Sequence, residues 1–264
     1  MSALGILAAR IGIVVLVLGM WEVLPRIEIL RGISVVFDPF FVSAPSLIAS
    51  KLWELCLGLN GQPLIWSFLG DTLKGTFIGV AIGTALGAAS GLFLSNNPLT
   101  QKIVRPFVAV LNATPRIALV PIFVILCGPS TAASVLTVVA VVYFLVFYNA
   151  YAGGVSVPGA TVQNAQLLGA TGFEIMLRLR LPYVLVWTFT SLSNAISFGL
   201  VAAVTAEILT GQAGMGRLLL NSIANVDSTL TFSVVVVLSL VGVALVTAAD
   251  SIEKRMLHWW HQSR

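Results

Sequence analysis

The hydrophobic residues of this chain are gathered into six long runs, which shorter polar stretches separate. Each run has about 20 residues or more, the length that an α-helix needs to cross the hydrocarbon core of a bilayer. The pattern therefore predicts six membrane-spanning helices. They cover about residues 5–24, 72–94, 104–127, 131–152, 183–209 and 230–249.

The connections between the runs differ in length and character. In the first connection, residues 44–57 begin with Ala-Pro-Ser and continue with apolar residues at helical spacing, which predicts a short amphipathic helix at the membrane interface. Residues 153–182 form a long polar connection, and residues 211–228 form the last loop. We expect a first helix with its extracytoplasmic loop, a transmembrane domain and a cytoplasmic tail, at residues 1–66, 67–250 and 251–264.

Composition supports a chain that lies mostly in lipid. Hydrophobic residues make up 58% of the sequence and charged residues 9%, whereas soluble domains carry about 25% charged residues. The fold class predicted is therefore an all-α polytopic membrane protein with no sizeable soluble domain. The net charge of +4 is spread along the chain without a basic run, which excludes nucleic acid as a partner.

The distribution of Lys and Arg predicts the orientation, because these residues are enriched in cytoplasmic loops. With the N-terminus in the cytoplasm, eight of them lie inside and four outside. The inner set is Arg10, Lys102, Arg105, Arg178, Arg180, Lys254, Arg255 and Arg264, and the outer set is Arg26, Arg31, Lys51 and Arg217. We expect a multi-pass protein of the cell (inner) membrane with both termini in the cytoplasm and an uncleaved first helix.

The residues that enzymes use are missing from the spans. Both histidines, His258 and His261, lie in the tail, and the sequence has no phosphate-binding Gly-x-x-x-x-Gly-Lys-Ser/Thr loop. Cys56 and Cys127 lack metal-ligand spacing, and a disulfide and two unrelated thiols are both compatible with the sequence. We therefore expect no catalytic site, no metal and no cofactor in this chain.

Glycine recurs at every fourth position of the second span. Such spacing forms a groove along one helix face and lets a neighbouring backbone approach closely. We expect tight helix packing there, with sliding of the same surface during gating left open. The residues are Gly75, Gly79, Gly83, Gly87 and Gly91.

Polar residues within the third and fifth spans are candidates for a solute pathway. A charge at membrane depth usually faces protein or water, so Arg116 is compatible with anion passage and equally with structural pairing to Glu207 or to freed backbone carbonyls. The fifth span carries four polar residues at helical spacing, and a water-filled path explains them better than one helix contact does. The candidate pathway residues are Arg116, Thr190, Ser193, Asn194, Ser197 and Glu207.

The connection at 153–182 carries the most informative motif, in Gln163-Asn164-Ala165, Gly169-Ala170 and Leu179-Arg180-Leu181-Pro182. We expect two short helices with a break near residues 169–172. The motif resembles the hallmark loop of permease subunits of binding-protein-dependent ABC importers, Glu-Ala-Ala, then Gly, then Ile-x-Leu-Pro. The interval from Gly169 to Pro182 matches that loop, whereas Gln163 replaces Glu, Asn164 replaces Ala and Leu179 replaces Ile.

Further motifs in the same order resemble one subgroup of that family, the nitrate, sulfonate, taurine and bicarbonate importers. Together they cover about residues 44–260. They are 44–46, 113–121 with Gly128, Glu207 with 214–216 and Asp227, and 252–255 with Trp259.

The resemblance implies the type I ABC importer permease fold and a transport function by alternating access. It implies ATPase subunits that bind ATP and Mg²⁺, an extracytoplasmic solute-binding protein, and a second permease chain, by default an identical one. The implied solute is a small oxyanion, sulfonate or related organic molecule. The residues that would couple to the ATPase are Gln163, Asn164, Ala165, Gly169, Ala170, Leu179, Leu181 and Pro182.

The residues by themselves also admit a self-contained channel or an ion-coupled secondary transporter. Ion-coupled carriers usually place carboxylates in mid-span. The fourth and sixth runs contain no charged residue, which argues against such a carrier.

Overall fold

The computed structural model describes residues 3–27, 38–59, 64–97, 99, 102–103, 106–107, 110 and 115–257 of the chain. These residues are almost entirely helical and include no β-strand. The helices named below are α1 (Ala3–Val23), α2 (Pro45–Leu57), α3 (Ile65–Asn96), α4 (Val120–Cys127), α5 (Thr131–Val155), α6 (Gly159–Leu167), α7 (Leu181–Thr190), α8 (Leu192–Thr210), α9 (Met215–Ala224) and α10 (Ser228–Met256).

Within the described ranges, five helices are long and apolar enough to cross a membrane, namely α1, α3, α5, α8 and α10. The prediction of an all-α polytopic protein is therefore confirmed. Most of the predicted third span lies outside the described residues, and its last part forms a 3₁₀ turn, Arg116–Leu119, followed by α4. Pro121 stands in the first turn of α4, where proline is tolerated because its missing N–H has no helical acceptor.

The predicted fifth span is not one uninterrupted helix. It consists of α7 and α8, which meet at Ser191. The Ser191 hydroxyl donates to the carbonyl oxygen of Thr188 at 2.8 Å, a local bond that competes with regular helix geometry. Ser191 stands among other small polar residues of this span, so the sequence pattern did not indicate a break at this position. The pattern also missed α9, which lies in the predicted loop 211–228.

The chain divides into two compact units, of which the first comprises residues within Met1–Leu69 and Arg217–Ser239. Its α2 is the predicted amphipathic helix. The carboxylate of Glu22, in α1, accepts hydrogen bonds from the backbone N–H and the hydroxyl of Ser46, at 3.0 and 2.8 Å. Glu22 thereby satisfies one of the free N–H groups at the start of α2, and Pro45 occupies the first helical position without needing a partner.

The second unit comprises residues within Gly70–Gly216 and Leu240–Arg264, and α3 packs there directly against α5. A Cβ atom added to Gly91 would lie 2.7 Å from the Cβ of Ala150, and one added to Gly87 would lie 2.8 Å from the carbonyl oxygen of Tyr143. Both distances are shorter than van der Waals contact, so the two backbones touch. The core between α3, α5 and α8 contains Val80, Val138, Val142, Val146, Ala195, Ala202 and Ala203.

The predicted domain boundaries remain predictions, since a division into compact units addresses packing and not function. Gly75 differs from the other four glycines of the series, because the nearest atom to an added Cβ, the Cβ of Ser134, lies 3.9 Å away. The close approach between the two helices is therefore concentrated at Gly79, Gly83, Gly87 and Gly91.

Candidate functional site

The connecting segment, defined here as residues 159–182, begins with α6. The N–H of Ala170 donates to the carbonyl of Ala165 at 2.9 Å, and the N–H of Gly169 donates to that of Gln166 at 3.0 Å. This bond pair is the Schellman ending of a helix, which requires a left-handed residue. Gly169 supplies it with φ of +87°, so the predicted break in the segment has a backbone cause.

The next turn starts with a capping box between Thr171 and Glu174. The Thr171 hydroxyl accepts from the Glu174 N–H at 3.3 Å, and the Glu174 carboxylate accepts from the Thr171 N–H at 2.9 Å. Two hydrogen bonds to the carboxylate hold the pKa of Glu174 below its usual range. The bond from the Thr171 N–H has the larger effect and the bond from the Thr171 hydroxyl the smaller one. The spacing Thr-x-x-Glu is a known start signal that the sequence analysis passed over.

After this turn the chain forms a π-helix, Ile175–Arg180, which continues into α7. Met176 is buried and packs with Leu92 of α3, Ala150 of α5 and Val184 of α7. The second half of the connecting segment is therefore held against the spanning helices by apolar contacts. A π-helix is rare and often marks a functional position.

Polar contacts attach the connecting segment to the ends of α3 and α5. The Arg180 Nη1 atom donates to the carbonyl oxygen of Ser95 and, at 3.0 Å, to that of Gly154. Asn96 donates from Nδ2 to the carbonyl of Gly172 at 3.3 Å. The motif treats position 180 as any residue, so the sequence analysis did not single out Arg180 as a contact residue.

The other side of the connecting segment exposes apolar side chains. Leu167 is 86% exposed, Leu168 89% and Phe173 64%, and solvent-exposed groups of large apolar residues often mark interaction surfaces. Of the predicted coupling residues, Gln163, Asn164 and Gly169 are exposed, whereas Ala165, Ala170, Leu179, Leu181 and Pro182 are half-buried. The structure therefore brings these residues together in one segment, and their role stays a prediction.

The predicted polar stripe is divided between two helices, with Thr190 in α7 and the other three residues in α8. Ser193 donates to the carboxylate of Asp250 in α10. Ser197 bonds the carbonyl of Ser193 at 3.0 Å, and Thr190 bonds that of Val186 at 2.9 Å. Asn194 is exposed, and among the described residues it has no hydrogen-bond partner.

Glu207 lies in a buried polar cluster at the start of α9, with 2% of its surface exposed. Its carboxylate accepts from the Thr72 hydroxyl at 2.8 Å and from the Gly216 N–H at 2.9 Å, and the Met215 N–H donates to Thr72 Oγ1 at 2.8 Å. A Cβ on Gly214 would lie 2.2 Å from the carboxyl carbon of Glu207. The glycines of 214–216 are thus needed to admit this carboxylate.

Some predicted features lie partly or wholly outside the described residues. The side chain of Arg116 is one of them, so its proposed roles in anion passage and in pairing with Glu207 remain predictions. The tail residues His258, Trp259 and His261 lie outside as well. Cys56 and Cys127 are described, and both are free thiols; no group of three His, Cys, Asp or Glu in the described ranges is placed to hold a metal ion.

Most of the chain is similar to known proteins. The family model described as binding-protein-dependent transport system inner membrane component matches residues 79–258. The riboflavin transport system permease protein RibX of Chloroflexus aurantiacus is 23% identical over 84% of this chain and 82% of its own. The taurine transport system permease protein TauC of Escherichia coli is 21% identical over 94% of this chain and 88% of its own.

A solved structure, the methionine ABC transporter MetNI in an inward facing conformation, resembles the fold. The TM-score is 0.61 with 17% sequence identity, over 70% of this chain and 92% of the other. At this identity the likeness bears on the fold alone, and it supports the predicted permease fold.

Proposed function

This chain belongs to the family of inner-membrane components of binding-protein-dependent transport systems, and from that membership we propose that it forms the translocation path of an ATP-driven importer. It is a permease subunit that carries a small solute across the inner membrane. The five long apolar helices in the described ranges supply the membrane-spanning part.

The connecting segment is the observation that carries this proposal. It presents Leu167, Leu168 and Phe173 outward, while its inner side is bonded to the ends of α3 and α5. A segment that is apolar on its free side and attached to spanning helices on the other fits a docking surface for a partner subunit. We infer that the partner is an ATPase subunit, which binds ATP and Mg²⁺ and which this surface connects to the helices.

The path itself is proposed to run along the exposed side of α7 and α8. Asn194 is exposed at membrane depth without a partner in the described residues, and an amide facing lipid with no hydrogen bond is costly. Water in a path, or the amide of a second permease chain, satisfies it. Thr190, four residues before Asn194, is exposed too, which supports a polar surface there.

The assembly follows from symmetry and charge. We infer that the path lies between two permease chains, and an identical second chain is the default because two-fold homo-oligomers are the commonest assemblies. The Lys and Arg distribution supports cytoplasmic termini and a cytoplasmic connecting segment. A solute-binding protein would then deliver solute on the opposite side, and transport would proceed by alternating access.

The solute is proposed from the relatives and stays at the level of a class. One relative is named for riboflavin and another for taurine. A small oxyanion, sulfonate or related organic molecule fits this range.

Reconstitution tests the proposal. The chain is co-expressed with the ATPase subunit and the binding protein encoded beside it, purified, and placed in liposomes. We expect the ATPase subunit to co-purify and uptake to require both ATP and the binding protein. Solute flux through the chain alone, without ATP, would instead establish a channel or a secondary transporter.

A further inference from the structure

Two membrane-spanning helices, α3 and α5, end beside each other in the second unit. The last carbonyl groups of any helix lack partners within the helix. Ser95 and Gly154 stand in these last turns, one residue before the ends at Asn96 and Val155. Both carbonyl oxygens accept a hydrogen bond from the same atom, Nη1 of Arg180.

An arginine suits this position for electrostatic and geometric reasons. The C-terminal end of a helix carries partial negative charge, so a cation between two such ends is stabilised twice. The guanidinium is planar and holds its N–H groups in fixed directions, which a lysine ammonium does not do. Burial lowers the pKa of Arg180 from its ordinary value, but a guanidinium remains protonated in proteins.

The guanidinium is not fully satisfied by these contacts. Its Nε atom is buried and has no hydrogen-bond partner among the described residues. A buried donor without a partner costs free energy. Packing alone therefore does not explain an arginine here, and a buried polar group left unsatisfied calls for another explanation.

The ends of the two helices are in direct contact. Near Arg180 the backbones of α3 and α5 touch, since a Cβ on Gly91 would lie 2.8 Å from the Tyr151 nitrogen and one on Gly154 would lie 2.5 Å from the Ser95 Cβ. Close-packed interiors transmit displacement instead of absorbing it. A movement of Arg180 must therefore carry both helices with it or break both hydrogen bonds.

We propose that Arg180 is a positioning residue that transmits movement of the connecting segment to α3 and α5 together. This inference rests on the proposed function, because it assumes that an ATPase subunit moves the segment. It adds the residue through which that movement reaches the spanning helices. Arg180 ends the π-helix and directly precedes α7, so the movement reaches α7 by the backbone as well.

Arg178 provides a matched control within the same π-helix. It is exposed, and its electrostatic contact is with Glu174, inside the connecting segment. It carries the same charge as Arg180, two residues away, yet the structure gives it no bond to α3 or α5. A difference between variants at the two positions therefore reports on the helix-end contact and not on charge.

The experiment compares R180Q, R180K and R178Q in the reconstituted complex with its ATPase subunits and binding protein. Co-purification of the ATPase subunit, ATP hydrolysis and solute uptake are measured for each. We expect R180Q to retain the ATPase subunit and hydrolysis while uptake per ATP falls roughly tenfold, as the loss of charged hydrogen bonds would produce. R180K should recover part of the loss, and R178Q, which leaves both helix-end hydrogen bonds in place, should lower uptake per ATP far less than R180Q does.

Several results would overturn the inference. Equal uptake per ATP in R180Q and R178Q would do so. The inference would also fail if R180Q loses the ATPase subunit while the complexes that still contain it show wild-type uptake per ATP. If R180Q fails to insert into the membrane, R180K provides the test. Wild-type uptake per ATP in R180K would contradict a role for the planar guanidinium of Arg180. Absence of ATP-driven uptake in the wild-type complex would refute the proposed function itself. The variants test only the role of Arg180.

Discussion

At the level of the residue, the backbone conformation of Gly169 explains why this position of the motif requires glycine. Its φ of +87° belongs to the region that favours glycine, and an added Cβ would meet no atom within 4 Å. Backbone conformation, and not crowding, therefore requires glycine at this position. Any larger residue would strain the turn that separates α6 from the capping box.

We predict that Gly169→Ala lowers transport per ATP and loosens this turn. Alanine in the left-handed region is less favourable by about 1 kcal/mol. Uptake per ATP and hydrogen exchange of residues 166–172 measure the two effects. Gly159→Ala is the control, because it also has open space and lacks the positive φ; equal behaviour of both variants would contradict the backbone explanation.

The capping box makes a prediction about pH. The pKa of Glu174 is lowered in the folded protein by bonds from Thr171, so the ionised carboxylate stabilises the turn. This stabilisation is complete above the ordinary pKa of a glutamate, about 4.3, and is lost as the pH falls through the lower folded value. Hydrogen-exchange protection of 172–176 should fall over that acid range.

Glu174→Gln is the matched variant for this pH effect. Glutamine can still bond the Thr171 N–H but does not titrate. Protection in this variant should not vary over the same acid range. Parallel loss of protection in both proteins would show that another group controls the turn.

At the level of elements, the contact between α3 and α5 explains the glycine series. Gly79, Gly83, Gly87 and Gly91 admit the backbone of α5, whereas Gly75 stands clear of it. The spacing predicted a groove on α3. It did not identify α5 as the helix that fills the groove, since the partner depends on how the chain returns.

We predict opposite effects of alanine at the two ends of this series. Gly91→Ala would place a Cβ 2.7 Å from that of Ala150, and overpacking of this kind costs about 1–3 kcal/mol. Gly75→Ala has an ordinary contact at 3.9 Å and gains up to about 1 kcal/mol of helix propensity. Thermal unfolding in detergent should rank Gly91→Ala below the wild type and Gly75→Ala at or above it, and a common shift would contradict the packing geometry.

At the level of the whole molecule, the proposed transport role depends on which side of the membrane each connection between helices faces. The proposal requires the connecting segment in the cytoplasm and the end of α9 outside. Positions for a label exist in both places, because Gln163 and Asn225 are exposed. Cys56 and Cys127 must first be replaced by serine, since both thiols are free.

In that background, a membrane-impermeant maleimide added to intact cells should label Asn225→Cys and spare Gln163→Cys. Permeabilised cells should label both, which controls for reactivity. The orientation follows from the excess of Lys and Arg on the cytoplasmic side. Labelling of Gln163→Cys alone in intact cells would invert the topology and remove the docking proposal.

The sequence by itself determined the fold class of this protein and the position of the connecting segment. Apolar runs of spanning length require helices in lipid, because the bilayer leaves no other partner for backbone N–H and C=O groups. Motif spacing identified the connecting segment and Gly169, since a local turn depends on nearby residues. Both inferences depend on interactions between residues that are close in sequence, so the amino-acid pattern is enough to predict them.

Tertiary structure decided the contacts between distant parts of the chain. Glu207, a candidate pathway residue from the sequence, is buried against Thr72 and Gly216, contacts that the sequence did not indicate. Ser193 is paired with Asp250, and Arg180 joins the ends of α3 and α5. Each of these depends on which helices become neighbours, and a polar side chain in an apolar run has the same pattern whether it faces water or a buried partner.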